Sequence, residues 1–124
     1  MGASQSLGRW GEEQAAAYLR ERGWEILAQR CRCGPDELDL IAQNGEYVIF
    51  VEVKTRRPGA LDSGWEAVGP KKQAHLLRAA ALWLSCHPQY AQLQPRMDVV
   101  QVEAEPGPPP RLRTLCHLPN AFGE

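Results

Sequence analysis

An Asn44-Gly45 pair separates two runs of alternating apolar and polar residues, and this feature constrains the fold most strongly. The runs read ELDLIAQ over 37–43 and EYVIFVEVK over 46–54. Asn-Gly between alternating runs is typical of a two-residue β-hairpin, because both residues tolerate the positive φ that the turn needs. The pattern therefore predicts two antiparallel strands in which Gln43 lies opposite Glu46.

This register assigns every side chain of the hairpin to one face of the sheet. Glu37 would lie opposite Glu52, and Asp39 would lie one diagonal step from Glu52. Strict alternation then gives one face with these residues: Glu37, Asp39, Ile41, Val48, Phe50, Glu52 and Lys54. The other face is apolar and predicts core: Leu38, Leu40, Tyr47, Ile49, Val51 and Val53.

Three carboxylates and one lysine are thus predicted to crowd one end of the mixed face. Like charges opposite each other destabilise a ladder, so Glu37, Asp39 and Glu52 favour a bound cation. Carboxylate oxygens at this spacing are ligands that Mg²⁺ or Mn²⁺ prefers. Lys54 could position or deprotonate a water, or stabilise phosphate charge. The alternative is an ordinary strand end that emerges into solvent with alternating Glu and Lys.

The remaining chain predicts two helices, over 7–22 and 71–86, and three strands, over 24–29, 96–103 and 111–118. The segment 30–36 is predicted as a loop because it holds Gly-Pro, and 104–110 as a proline-rich loop. The second helix presents Ala74, Leu77, Ala81 and Leu84 on one face. The order α-β-β-β-α-β-β predicts an α/β fold with a mixed central sheet flanked by helices. The chain of 124 residues suits one domain, with a flexible arm over 1–6.

Composition and charge exclude several classes of protein. A net charge of −1 excludes binding of nucleic acid by bulk charge, but not by a local basic patch. The longest apolar run, Ala79 to Leu84, has six residues, against about 20 needed to span a bilayer. The N-terminal segment lacks the order of a secretory signal. We therefore expect a cytoplasmic protein without a membrane partner.

The cysteines allow an alternative centred on zinc. Two of them stand directly before histidines, in Cys86-His87 and Cys116-His117, and the other two form Cys31-x-Cys33. The one-residue gap does not match the common zinc ribbons and fingers, which use two residues. Reduced, half-buried thiols are the other interpretation of the same residues.

The ordered motifs of the chain resemble the YraN-like family, which is similar to archaeal-type Holliday-junction resolvases. Asp39 followed by Glu52-Val-Lys54 resembles the PD-(D/E)xK motif of restriction-endonuclease-like nucleases. The wider resemblance covers nearly the whole chain and rests on Gly11-Glu12-x-x-Ala15-x-x-Tyr18-Leu19, Glu37 to Ala42, Phe50 to Lys54, Arg96-x-Asp98-Val-Val100 and Asn120-Ala-Phe122. The family usually has Gly where this chain has Asp36.

The resemblance implies a restriction-endonuclease-like fold with the site at the hairpin. Asp39 and Glu52 would hold Mg²⁺ or Mn²⁺, Lys54 would act on the water, and Glu12 would add a catalytic carboxylate. Glu37 would be a supporting acid. An alternative for Glu12 is an ordinary first-turn glutamate that complements the helix dipole.

The leading hypothesis is a metal-dependent nuclease that hydrolyses DNA phosphodiester bonds, at branched or flapped DNA. The candidates for contact with nucleic acid are Arg30, Arg32, Arg56, Arg57, Lys71 and Lys72, each of which could also be a solvated surface residue. Two alternatives stay open: a non-catalytic nucleic-acid-binding protein that retains the nuclease fold, and a zinc-organised or protein-interaction module. A homodimer would suit branched DNA, although no sequence feature specifies one.

Overall fold

The computed structural model describes residues 6–58 and 68–123. The elements follow the predicted order α-β-β-β-α-β-β, which is confirmed. They are α1 (Leu7–Glu21), β1 (Glu25–Cys33), β2 (Asp36–Gln43), β3 (Tyr47–Arg56), α2 (Pro70–Ser85), a short 3-10 helix (Pro88–Tyr90), β4 (Gln94–Glu105) and β5 (Arg111–Phe122). Most of the predicted N-terminal arm lies outside the described residues.

The five strands form one mixed sheet in the order β1-β2-β3-β4-β5. β3 and β4 are parallel and are connected through α2, whereas the other neighbouring pairs are antiparallel. α1 packs on one face of the sheet, where Leu19 meets Leu40 and Val51. α2 packs on the opposite face, where Trp83 meets Phe50. Each helix therefore covers its own apolar core.

The segment 30–36, predicted as a loop, is instead part of a second hairpin. β1 continues to Cys33 and β2 begins at Asp36, so only Gly34 and Pro35 form the turn. Gly34 has a φ of +63°, which suits a two-residue hairpin turn with glycine in its first position. The prediction failed because β1 is an edge strand whose exposed polar residues hide its alternation.

The central hairpin forms as predicted, but its register differs from the predicted one. Asn44 Oδ1 accepts hydrogen bonds from the backbone N–H groups of Glu46 at 3.0 Å and Tyr47 at 2.8 Å. This Asx-type turn lengthens the connection, so Gln43 lies opposite Val48 rather than Glu46. A shift of two residues keeps each side chain on its predicted face, since the period of a strand is two.

Strict alternation does break once in β2, at Asp39. Leu38 packs in the core below α2, whereas Leu40 packs in the core below α1. Across the β1–β2 ladder at this point stands Arg30, which has a φ of +53°. The predicted face of Leu38 is therefore wrong, and Glu37, its neighbour, is displaced from the face of Glu52.

α2 buries a different face from the one that the sequence predicted. The buried residues are Leu76, Ala79, Ala80 and Trp83, whereas Ala74, Leu77 and Ala81 are exposed. The large indole of Trp83 packs against Phe50 with ring centroids 5.8 Å apart, and burial of this aromatic surface outweighs burial of alanines. Among the described residues, no helix is long and apolar enough to cross a membrane.

Candidate active site

The ladder between β2 and β3 ends beside Asp39. The last pair of the ladder is Leu40 with Val51. Beyond it, the backbone N–H of Val53 on β3 donates to Asp39 Oδ2 at 2.8 Å. A side-chain carboxylate thus replaces a backbone acceptor where the strands separate. Continued by one pair beyond Leu40 and Val51, the observed register would place Asp39 opposite Glu52 rather than one diagonal step away.

Glu52 is a buried carboxylate with two lysine neighbours. Its side chain is 7% exposed, and its Oε2 lies 3.4 Å from Lys54 Nζ and 3.5 Å from Lys72 Nζ. Lys54 follows Glu52 by two residues on the same face of β3, as predicted. Lys72 comes from the first turn of α2 on the far side of the site. The structure thus brings together Asp39, Glu52 and Lys54, three of the four predicted catalytic residues.

The electrostatic environment of Asp39 is dominated by burial and by a neighbouring negative charge. Burial, followed by the charge of Glu52, raises the pKa of Asp39 to about 7. The Val53 N–H and the Lys72 ammonium oppose the rise, while Glu12 adds to it. The fold therefore places the carboxylates of Asp39 and Glu52 close enough for their charges to repel each other in a partly buried site.

Glu12 reaches the edge of the same cluster from α1. Burial raises the pKa of Glu12, Arg30 opposes this, and Glu37 adds to it. Glu12 Oε1 accepts from Arg30 Nε at 3.0 Å, so this carboxylate is tied to β1. Its position depends on Gly11, because a Cβ on Gly11 would collide with Thr55 of β3.

The structure separates Glu37 from the predicted trio. Glu37 lies beyond the end of the β2–β3 ladder, is exposed, and stands opposite Arg32 on β1. Asp36, the departure from the family pattern, accepts from Arg78 Nη2 at 2.9 Å. Neither acid is therefore beside Glu52.

Two of the predicted nucleic-acid contacts form ion pairs with acids of the site. Arg30 contacts Glu12, and Lys72 contacts Glu52. Arg32, Arg57 and Lys71 are exposed, and Arg56 is half-buried just after the site on β3.

The sequence predicted Lys72 as a contact for nucleic acid, and its contact with Glu52 was not predicted. A signal existed, since Lys71 and Lys72 stand in the first turn of α2, where the helix dipole disfavours cations. Lysines at such a position indicate an anion nearby.

The donor set at Asp39 and Glu52 fits a hard divalent cation, because it offers carboxylate oxygens and unrelieved repulsion. Nonetheless, within residues 6–58 and 68–123 no three His, Cys, Asp or Glu side chains converge to form a metal-binding group.

The cysteines form no such group with other ligand side chains among these residues, so the zinc alternative has no structural support there. Cys31 Sγ and Cys33 Sγ lie 3.9 Å apart, and burial, then Cys31, raises the pKa of Cys33 to about 11, which disfavours the thiolate that zinc requires.

A second polar cluster surrounds Asp98, which is fully buried. Asp98 accepts from Arg96 Nε at 2.9 Å, from the Asn120 backbone N–H at 2.9 Å and from His117 Nε2 at 2.7 Å. His117 Nδ1 in turn lies 3.3 Å from Tyr18 Oη on α1. These residues explain the motifs at 96–100 and 120–122: they connect β4, β5 and α1.

Fold and site together define a mixed α/β protein with a buried acid–lysine cluster at the end of its central hairpin. The model of a family described as "Uncharacterised protein family UPF0102" matches residues 11–102. The chain belongs to this family, the YraN-like family that the motifs predicted.

Relatives match along most of the chain. A UPF0102 protein of Synechococcus sp. (strain JA-3-3Ab) is 50% identical over 100 residues, or 80% of this chain and 75% of the relative. One from Syntrophotalea carbinolica is 44% identical over 122 residues, covering 94% and 91% of the two chains. One from Frankia casuarinae is 43% identical over 122 residues, covering 98% and 100%.

Proposed function

We propose that this protein is a metal-dependent nuclease that hydrolyses phosphodiester bonds in DNA, with branched or flapped DNA as the preferred substrate. The observation that carries the proposal is the buried Glu52, held between Lys54 and Lys72 beside Asp39, whose pKa is raised to about 7. A strongly raised carboxylate pKa beside a second buried carboxylate and two lysines is typical of a functional site.

Each side chain has a separate task in this proposal. Asp39 and Glu52 would hold Mg²⁺ or Mn²⁺, which supplies Lewis-acid stabilisation of phosphate charge and a nucleophilic water at neutral pH. Lys54, held 3.4 Å from Glu52, donates hydrogen bonds to the water or to the phosphate oxygens that gain charge in the transition state. Lys72 is 51% exposed at its side chain, so it can contact a phosphate entering from solvent. Glu12 orients Arg30 at the edge of the site.

The test is cleavage of four DNA substrates, namely duplex, flap, single-stranded and four-way-junction DNA, with Mn²⁺ and with chelator. We expect metal-dependent cleavage, fastest on flap or junction DNA.

Lys54→Ala should lower the cleavage rate by about a hundredfold or more while the Kd for DNA stays within a few fold, because Lys54 acts on the transition state. Arg20→Ala, the removal of an exposed cation in the last turn of α1, is the control and should cleave normally. Normal turnover by Lys54→Ala would remove Lys54 from the mechanism.

One observation favours a second candidate, a nucleic-acid-binding protein without catalysis. Two ammonium groups already neutralise Glu52, and the described residues contain no converging group of three metal-ligand side chains. This protein would bind the same DNA equally well with Mn²⁺ and with chelator, and would cleave none of it.

A further inference from the structure

A cavity of about 860 Å³ opens between the first turns of α1 and the loop that joins β4 to β5. Its walls are mainly apolar and include Leu7, Trp10, Pro106, Pro108 and Pro109. The volume lies within the range of small-ligand sites, about 300–1,000 Å³. Trp10 is half-buried and packs on the core below α1, so the wall that it forms is rigid.

The polar groups at the cavity select among ligands. Two carboxylates, those of Glu13 and Glu105, and one guanidinium, that of Arg57, line it. Glu105 Oε2 also accepts from Arg113 Nη1 at 3.4 Å. Two carboxylates disfavour a phosphate inside, while Arg57 disfavours a cation. A flat, neutral group with amino donors suits both the apolar walls and the carboxylates, and this is the chemistry of a nucleobase.

The cavity and the candidate active site lie beside the same end of β3, the cavity on the face of α1 and Glu52 and Lys54 on the face of α2. Arg57 follows Lys54 by three residues, or about 10 Å along a strand, which is the span of three stacked nucleotides. On the other side, Gly11 packs against Thr55 and stands between Trp10 of the cavity and Glu12 of the site. A strand whose phosphate lies at Lys54 and Lys72 would pass around the end of β3 to bring its next bases to Trp10.

Most of the cavity wall lies outside the part of the chain that the family model matches. The family model matches residues 11–102, whereas Trp10, Leu7 and the loop prolines fall beyond those limits. The cavity is therefore a feature of this chain that the family match does not cover.

We propose that this cavity holds one unstacked nucleobase of the substrate strand, against the indole of Trp10 and the loop prolines, within about three nucleotides of the phosphate at Lys54. This inference rests on the proposed function, because it assumes that a nucleic-acid strand enters the site.

The experiment combines changes in the protein with changes in the DNA. Single-stranded oligonucleotides that carry one abasic position, moved along the strand, are bound in chelator, so that no cleavage is needed, and Kd is read by fluorescence anisotropy. For the parent, one position should weaken binding by about tenfold, the effect of losing one base stacked on an aromatic side chain. Trp10→Leu should weaken binding of the intact strand by a similar factor and be insensitive to the same abasic position.

Two further variants complete the test. Trp10→Phe keeps an aromatic surface and should retain most of the affinity and of the abasic effect. This result would show that a change at position 10 does not by itself unfold the protein. Trp24→Leu is the matched control, because Trp24 is half-buried on the same core but is not part of the cavity wall. It should leave the abasic effect unchanged.

The outcomes separate the two proposals. An abasic effect that persists in Trp10→Leu, or an oligonucleotide that binds with no sensitive position, overturns the base site and leaves the nuclease proposal in place. Absence of binding to every DNA by the parent overturns both. Coupling between Trp10 and one position of the strand supports the base site, with or without cleavage.

Discussion

Asp39 accepts a hydrogen bond from Val53 N–H while its charge repels that of Glu52, and one substitution separates these two effects. Without metal, we expect Asp39→Asn to melt no lower than the parent, because the amide oxygen can still accept from Val53 and one repelling charge is gone. Mn²⁺ should stabilise the parent by about 2.7 kcal/mol at a hundredfold excess over its Kd. The variant should lose most of this shift. Calorimetry with and without Mn²⁺, after chelator treatment, measures both.

The control for this prediction is Glu37→Gln, which removes an exposed acid that lies beyond the β2–β3 ladder. This variant should keep the shift. A parent without any Mn²⁺ shift would contradict the metal site, and equal shifts in parent and Asp39→Asn would mean that the ion binds elsewhere.

At the level of elements, the contact of α1 with β3 decides where Glu12 lies. Gly11 has no room for a Cβ against Thr55, whose Oγ1 is buried without a hydrogen-bond partner among the described residues. Gly11→Ala should therefore push α1 from the sheet and lower the free energy of unfolding by about 1–3 kcal/mol. Denaturant unfolding checks this value.

Gly8→Ala on the same helix provides the matched comparison. The nearest atom to its added Cβ would be Ser6 Oγ at 3.8 Å, so the substitution should be neutral or stabilise by about 0.5 kcal/mol through lower entropy of the unfolded chain. If Gly11→Ala were as stable as Gly8→Ala, the close approach of Gly11 to Thr55 would not limit the packing of α1.

Asp98 joins three elements, and its ionisation links their packing to pH. Burial alone would raise the pKa of Asp98, but hydrogen bonds from His117, Arg96 and the Asn120 backbone N–H outweigh it and hold the pKa below its usual value of 3.8. Since the folded pKa is lowered, the stabilisation is present above about pH 4 and is lost as the pH falls through the folded pKa.

Asp98→Asn should therefore lower the free energy of unfolding at pH 7 by about 3 kcal/mol, because Arg96 loses its buried partner. It should also flatten the decline of stability below pH 4. Denaturant unfolding at a series of pH values from neutral to acid measures both effects. A decline as steep as that of the parent would assign acid unfolding to other groups.

At the scale of the whole molecule, the proposed binding of DNA by a chain of net charge −1 requires local positive charge. Arg56→Ala combined with Arg57→Ala should weaken binding to all sequences, and each lost phosphate contact should lower the slope of log K against log salt by about one. Arg57 is exposed and Arg56 half-buried, so most of the change should come from Arg57. Arg20→Ala, at the exposed C-terminal end of α1, is the control. An unchanged slope in the double variant would place this pair away from the DNA.

The order of elements and the nearness of Asp39, Glu52 and Lys54 could be predicted from the sequence. Alternation along a strand and the Asn-Gly turn are local properties, and neither depends on the rest of the molecule. A register error of two residues did not disturb this result, because a shift by an even number of residues leaves Glu52 and Lys54 on the face shared with Asp39.

Only the tertiary structure decided the remaining features of the site. The register depended on which backbone N–H groups Asn44 captured, and the buried face of α2 depended on the fit of Trp83 against Phe50. Lys72 reaches Glu52 only because α2 crosses the sheet there, 20 residues later in the chain. Contacts between distant segments follow from packing of complementary shapes, and a local pattern such as the two lysines in the first turn of α2 does not identify the partner.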